Sequence, residues 1–182
     1  MSGKNIYSHN SNLKDEQLSP AYIVLPLIDI IEKYYKDKII WCPFDTELSE
    51  YVKIFKKKRF NVIYSHINEG KDFYLYQPKK WDILISNPPF SNKAVMMERV
   101  LSFNKPFAIL LPAIWINDSA PFRLWRDKDL QLLLFDKRAS FKGNNNKLVP
   151  FSSIYYCWNF LPKQIMFKKL DKSLISSDNI NL

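Results

Sequence analysis

The segment Trp81-Asp82-Ile83-Leu84-Ile85-Ser86 is an apolar, β-type run that stops at Asn87-Pro88-Pro89-Phe90. A continuous Ile-Leu-Ile strand suits the middle of a sheet covered on both faces, and two prolines cannot extend a ladder, so the chain leaves the sheet there. Each proline fixes its own φ, lacks an N–H and pushes the residue before it into extended geometry. Asn87 and the Pro88 carbonyl are thereby held in one stiff arrangement beside the Phe90 ring. Two acceptors and a ring suit a flat, amino-bearing heterocycle. The lone pair of such an amine is delocalised, and acceptors that take both of its hydrogens favour a pyramidal nitrogen able to attack an electrophile. Phe90 offers a stacking face worth roughly 1–3 kcal/mol per base. No strong general base is required, because the amine becomes far more acidic once it is alkylated.

The elements that must position this corner can be read along the chain. Ser19-Pro20 marks the start of a helix over residues 20–36, with apolar residues at helical spacing. A strand follows at 39–41, then a helix over 46–57 entered through Asp45 or Thr46, and a second strand at 61–66. Residues 71–75 form a short strand or turn before the strand that ends at Ser86. A helix is predicted over 92–103, a buried strand over 107–112, a short helix over 120–126 and a strand over 130–135. The aromatic, β-branched segment 151–160 pairs with the strand before it across the Gly143-Asn144-Asn145-Asn146 turn, giving a C-terminal antiparallel hairpin. Alternating strands and helices make this an α/β sheet, whose ligands bind at the carboxyl ends of the strands.

Asn87 to Phe90, set at the end of a strand, resembles the catalytic motif of S-adenosylmethionine-dependent N6-adenine methyltransferases in its Asn-Pro-Pro-Phe form. The resemblance implies a Rossmann-like class I methyltransferase sheet flanked by helices, S-adenosyl-L-methionine as cofactor, and Asn87, Pro88, Pro89 and Phe90 as the catalytic loop. A related class methylates a protein glutamine through a similar motif, so the motif specifies a planar amide or amine better than it specifies adenine.

On the cofactor side, Asp15-Glu16-Gln17-Leu18-Ser19-Pro20-Ala21-Tyr22 is similar to the family's segment before the first strand. Ser19 and Pro20 would then face the methionine end, or serve as a plain helix start. The loop Cys42-Pro43-Phe44-Asp45-Thr46-Glu47-Leu48-Ser49 departs from the family because it has no glycine. Pro43 and Phe44 would supply a differently shaped turn. Asp45 either holds the cofactor ammonium or caps the next helix. Ser65, His66 and Asn68 stand where the family places an acidic ribose ligand, and Asp72-Phe73 resembles the pair that reads the cofactor adenine. On the target side, Phe141 is expected on an exposed loop, where it would cover a flipped base, flanked by Arg138, Lys142 and Lys147 on the phosphate backbone.

With 182 residues, 47% of them hydrophobic, the chain has material for one core. Residues 1–12 read as a disordered leader, 13–162 as the methyltransferase-like domain and 163–182 as a loose polar tail. The net charge of +9 favours a polyanion as partner. No apolar run is long enough to span a bilayer, the start is Ser- and Asn-rich rather than apolar, and Cys42 and Cys157 have neither metal nor redox spacing, so a cytoplasmic protein with no metal is expected. The reading is methyl transfer to the N6 amine of adenine in nucleic acid, DNA before RNA. Its alternatives are a catalytically lost fold that binds nucleic acid or a protein, and glutamine methylation.

Overall fold

A computed structural model describes residues 19–142 and 148–180. The leader, residues 15–18, the 143–147 turn with Lys147, and the Lys142 side chain lie outside what is described. The sheet is built from β1 (Ile39–Cys42), β2 (Asn61–Tyr64), β3 (Ile83–Ser86), β4 (Phe107–Pro112), β5 (Gln131–Phe135), β8 (Ser153–Trp158) and β9 (Ile165–Lys168), and β6 (Ala139–Lys142) and β7 (Leu148–Phe151) form a separate antiparallel hairpin. The strand order is β2-β1-β3-β4-β8-β5-β9. β2, β1, β3 and β4 run parallel, and β8 enters antiparallel between β4 and β5. This is the α/β, Rossmann-like sheet anticipated from the sequence. The chain leaves β1 toward one edge and returns on its other side as β3, so the topological switch point lies between these two strands.

Side-chain alternation divides the interior into two cores. Ile40 and Cys42 of β1, with Ile83 and Ile85 of β3, join the helices α1 (Ala21–Val24), α2 (Ile28–Tyr34) and α3 (Glu50–Lys57) on one face. Trp41 and Leu84 point the other way, to α4 (Lys93–Ser102) and α5 (Ser119–Trp125). All four β3 residues are buried, as expected for a strand covered on both sides. The predicted first helix is interrupted where Pro26, which has no N–H, forces a 3₁₀ turn over Leu25–Leu27. The helix expected from residue 46 begins at Glu50. Residues 46–49 instead form a turn in which Thr46 N donates to Ser49 Oγ (3.0 Å) and Leu48 N to Thr46 Oγ1 (3.3 Å).

Two expectations are corrected. Residues 163–180 are not a loose tail: β9 pairs in parallel with β5, from Leu132 opposite Ile165 to Phe135 opposite Lys168. Beyond it Leu170 and Ile180 are buried, and the carbonyls of Ile175 and Leu174 accept the Ala21 and Tyr22 N–H groups at 2.8 and 2.9 Å. Those are first-turn donors that no partner inside the helix can satisfy. The docking runs largely through main-chain groups, which leave no apolar pattern in the sequence. Phe141 is the second correction. It is fully buried in the α1–α3 core, not exposed on a loop, because Tyr22 Oη accepts from Ser140 N (2.8 Å), donates to Ser140 O (3.1 Å) and draws β6 inward.

If the C-terminal segment is part of the fold, Leu170→Ala lowers stability by about 2–5 kcal/mol, in the range for truncating a buried leucine. Urea unfolding checks this, and an unchanged midpoint would mean that the segment does not contribute.

Candidate active site at the switch point

The carboxyl ends of β1 and β3 deliver the first-loop carboxylate and the Asn-Pro-Pro-Phe corner to the same place. The Ser86 hydroxyl, on the last residue of β3, donates to the Asp45 carboxylate in a short hydrogen bond across the two loops. One residue on, the Asn87 Nδ2 donates to Ser19 Oγ at 3.0 Å. Ser19, Asp45 and Asn87, singled out separately in the sequence, are therefore brought together.

The corner is fastened on both sides. Pro88 is buried, while Asn87, Pro89 and Phe90 are half-buried. Lys93, in the first turn of α4, donates from Nζ to the Phe90 carbonyl at 3.0 Å. The Phe90 ring packs against the α4 side of the core, and the Asn87 Oδ1 is shielded from solvent.

Asp45 is buried and does not cap α3, whose first residue lies beyond the turn. Burial raises its carboxyl from the ordinary 3.8 to about 6, opposed by hydrogen bonds from Ser86 and Ser49 and by the nearby His66. Desolvation outweighs these partners, which is the condition of a carboxylate kept in a dry place. Ser86 was missed in the sequence reading. Its signal was there: it is the one hydroxyl at the end of an Ile-Leu-Ile run, a polar group that must find a partner when buried.

Other predicted contacts are already engaged within the protein. Pro43 is buried, and the Phe44 ring lies 4.6 Å from Phe73, which also packs on Trp41 at 5.7 Å. Residues 71–75 are a turn rather than a strand: Asp72 Oδ1 accepts from Tyr74 N at 3.0 Å, and Arg99 of α4 holds the Phe73 carbonyl at 2.7 Å. Ser65 accepts from Trp41 Nε1 at 3.0 Å, and His66 Nδ1 accepts from Asn68 N at 3.2 Å. Asp82 is a structural clasp, accepting from Ile39 N at 2.8 Å at the start of β1. Arg138 is exposed, with Lys137, Lys169 and Lys172 exposed on the neighbouring β5 and β9 ends, whereas the Phe141 ring is out of reach of any ligand on that surface. Among the described residues no group of three or more His, Cys, Asp or Glu is placed to hold a metal ion, and no helix is long and apolar enough to cross a membrane.

No family profile and no curated protein matches the chain. Among solved structures it is similar to a Listeria monocytogenes protein described as a candidate class I S-adenosylmethionine-dependent methyltransferase. The identity is 11% and the TM-score 0.46, over 91% of this chain and 70% of that one. A likeness at that level carries no conclusion about cofactor or substrate.

The raised Asp45 carboxyl fixes a sign for stability against pH. The unfolded chain releases this proton near 3.8 and the folded chain near 6, so Asp45 disfavours folding increasingly across that window. Asp45→Asn removes the dependence and stabilises the protein above pH 6 by up to about 3 kcal/mol, at 1.36 kcal/mol per unit. Thermal unfolding of both proteins from pH 4 to 8 measures it; parallel curves would refute the assignment.

Proposed function

We propose that the chain is an S-adenosylmethionine-dependent methyltransferase acting on the N6 amine of adenine in nucleic acid, DNA in preference to RNA. The observation that carries this reading is the meeting of the Asn-Pro-Pro-Phe corner with a buried carboxylate at the switch point of the sheet. Asp45 fits the cofactor by its chemistry: a desolvated carboxylate held, among the described residues, by neutral hydroxyls and a nearby histidine gains from a cationic ammonium group, while Ser19 meets Asn87 beside it, and Pro20 follows in sequence. When bound, the cofactor supplies an electrophilic methyl group on a sulfonium.

The residues of the chain bind and orient the amine. Asn87 Oδ1 and the Pro88 carbonyl accept its two hydrogens, which localises the lone pair, and Phe90 stacks on the base. Because Oδ1 is shielded, the base must open the surroundings of the loop as it enters; such contacts commonly tighten only in the complex. Positioning of this kind can contribute about 7–11 kcal/mol. The proton leaves the methylated amine to water. Arg138, with Lys137, Lys169 and Lys172, would hold phosphates near the carboxyl ends of β5 and β9.

One observation favours a second reading, a methyltransferase-like fold that binds nucleic acid or a protein without catalysis. Phe44, in the first loop, which has no glycine, packs on Phe73 of the 71–75 turn, although the resemblance would set both beside the cofactor. Calorimetric titration with S-adenosylhomocysteine separates the two, since absence of binding leaves only the second.

Incubation with labelled methyl donor and separate DNA, RNA and protein pools, followed by digestion, is expected to yield labelled N6-methyladenosine, in its deoxy form from DNA. Asn87→Ala lowers that yield by roughly 100-fold or more, the scale seen when one catalytic hydrogen-bonding group is removed, with the affinity for S-adenosylhomocysteine retained. Label confined to protein, or turnover undisturbed in Asn87→Ala, would reject the proposal.

A further inference from the structure

The last strand of the sheet, β9, keeps both main-chain and apolar groups in contact with solvent. It pairs on one side only, with β5. Leu132 N donates to Gln164 O at 2.8 Å and Asp136 N to Lys168 O at 3.3 Å, so the main-chain groups of residues 164, 166 and 168 turn toward β5. The residues between them turn theirs the other way, which puts the N–H and C=O groups of Ile165 and Phe167 on the free edge. Their side chains stand opposite Leu132 and Leu134, on the α4–α5 side of the sheet, and are 53% and 74% exposed. Met166 turns to the opposite core.

Continued to the flanks of the strand, the same alternation sets exposed Lys163 and Lys169 on the face of Ile165 and Phe167. That face therefore reads cation, aliphatic chain, ring, cation over roughly 20 Å, at about 3.3 Å per residue. Exposed Lys137, Arg138 and Lys172 extend the charge at the carboxyl end. The neighbouring carboxylates are engaged with the main chain: Asp136 accepts from Leu170 N at 2.8 Å and Asp171 from Ser173 N at 3.1 Å. Lys168, on the other face, pairs with Asp29 at 2.8 Å. From 137 to 170 the sequence has seven Lys or Arg and no Asp or Glu, so the surface is complementary to a polyanion.

A second copy of the chain fits poorly here. Two β9 edges paired antiparallel with Ile165 against Phe167 would also set Lys163 against Lys169, and like charges directly opposite are destabilising. A single-stranded nucleic acid fits both halves of the pattern: a base stacks on the ring, while lysines and edge N–H groups meet phosphates. The bases of a duplex are already stacked on one another and do not offer the ring a free face.

We infer that the outer face of β9 is a track for single-stranded nucleic acid, with Phe167 stacking on a base and Lys163 and Lys169 holding phosphates. The choice of nucleic acid rests on the proposed function, whereas the exposed ring and the charge do not. β9 runs in the direction of β3, so its carboxyl end is on the side of the sheet that carries Asn87, four strand spacings or about 19 Å away. The base on Phe167 therefore belongs to a nucleotide outside the target.

The test is fluorescence anisotropy of a labelled single-stranded oligodeoxynucleotide titrated with the full chain, without methyl donor, at several salt concentrations. Phe167→Ala weakens binding by about tenfold, the scale of one lost base stack, and leaves the dependence on salt as in the wild type, because no charge is removed. Phe167→Trp retains the affinity. Lys169→Ala reduces the slope of log affinity against log salt by about 0.7, the value for one phosphate of a single strand. The corresponding duplex is bound equally by the wild type and Phe167→Ala. Wild-type affinity for the single strand in Phe167→Ala overturns the inference, as does an equal loss for duplex and single strand. Sedimentation as a dimer that Phe167→Ala dissociates would assign the edge to a second copy and overturn it too, and binding of poly-glutamate in place of the oligonucleotide would assign it to an acidic protein segment. Weakened binding in Phe167→Ala, with no methylation of any pool by the wild type, would reject the methyl-transfer reading and leave the track established.

Discussion

The hydrogen bond from the Asn87 amide to the Ser19 hydroxyl is the point at which distant parts of the chain depend on one another. It ties the loop after the central strand to the start of α1. The first turn of that helix is held in turn by the carbonyls of Leu174 and Ile175. A bond of this kind adds only about 0.5–1.5 kcal/mol to stability. Its importance is positional: the two prolines leave the loop few conformations, and the amide and Lys93 select among them. The segment that looks least structural in the sequence thus helps to place the residue that looks most catalytic.

The central sheet was legible because its signals are local. An unbroken apolar run needs burial on both faces, prolines end it, and the Trp41 and Leu84 side chains go to one core while their neighbours go to the other. The meeting of the two loops at the switch point was legible where local chemistry marked it, at Asn87 and at Asp45. It was not legible where the partner is remote. Nothing in the sequence near Ser19 announces Asn87. Phe141 misled for a related reason. Its basic neighbours suggest an exposed loop, but the location of its ring is decided by Tyr22, far away in the chain, which holds Ser140 from both sides. Residues 163–180 misled because they dock through carbonyls and amides, groups that every sequence carries.

The same distinction applies to the aromatic cluster beside the first loop. Phe44, Phe73 and Trp41 satisfy one another, and Arg99 lies over the Phe73 and Phe103 rings at 5.4 and 5.0 Å while holding the Phe73 carbonyl. Glycine in a cofactor loop allows the backbone to approach a ligand closely. Proline and phenylalanine here fill that space with side chains, so an adenine bound on this side must either part the Phe44–Phe73 contact or stack outside it.

Asp45 and Asn87 stand at the ends of adjacent parallel strands and are treated in opposite ways. The neutral amide donates to the Ser19 hydroxyl. The ionisable carboxyl is buried, and the two serines that reach it do not offset its desolvation. An asparagine at position 45 would accept hydrogen bonds from the same serines without carrying a charge into the interior, so packing alone gives no reason for an aspartate. A positively charged group, as on the proposed cofactor, would supply one. It would favour the ionised carboxyl, return the pKa toward its ordinary value and offset the desolvation of the carboxylate. Under the proposed function, binding of such a cation would be coupled to the stability of the fold through one side chain.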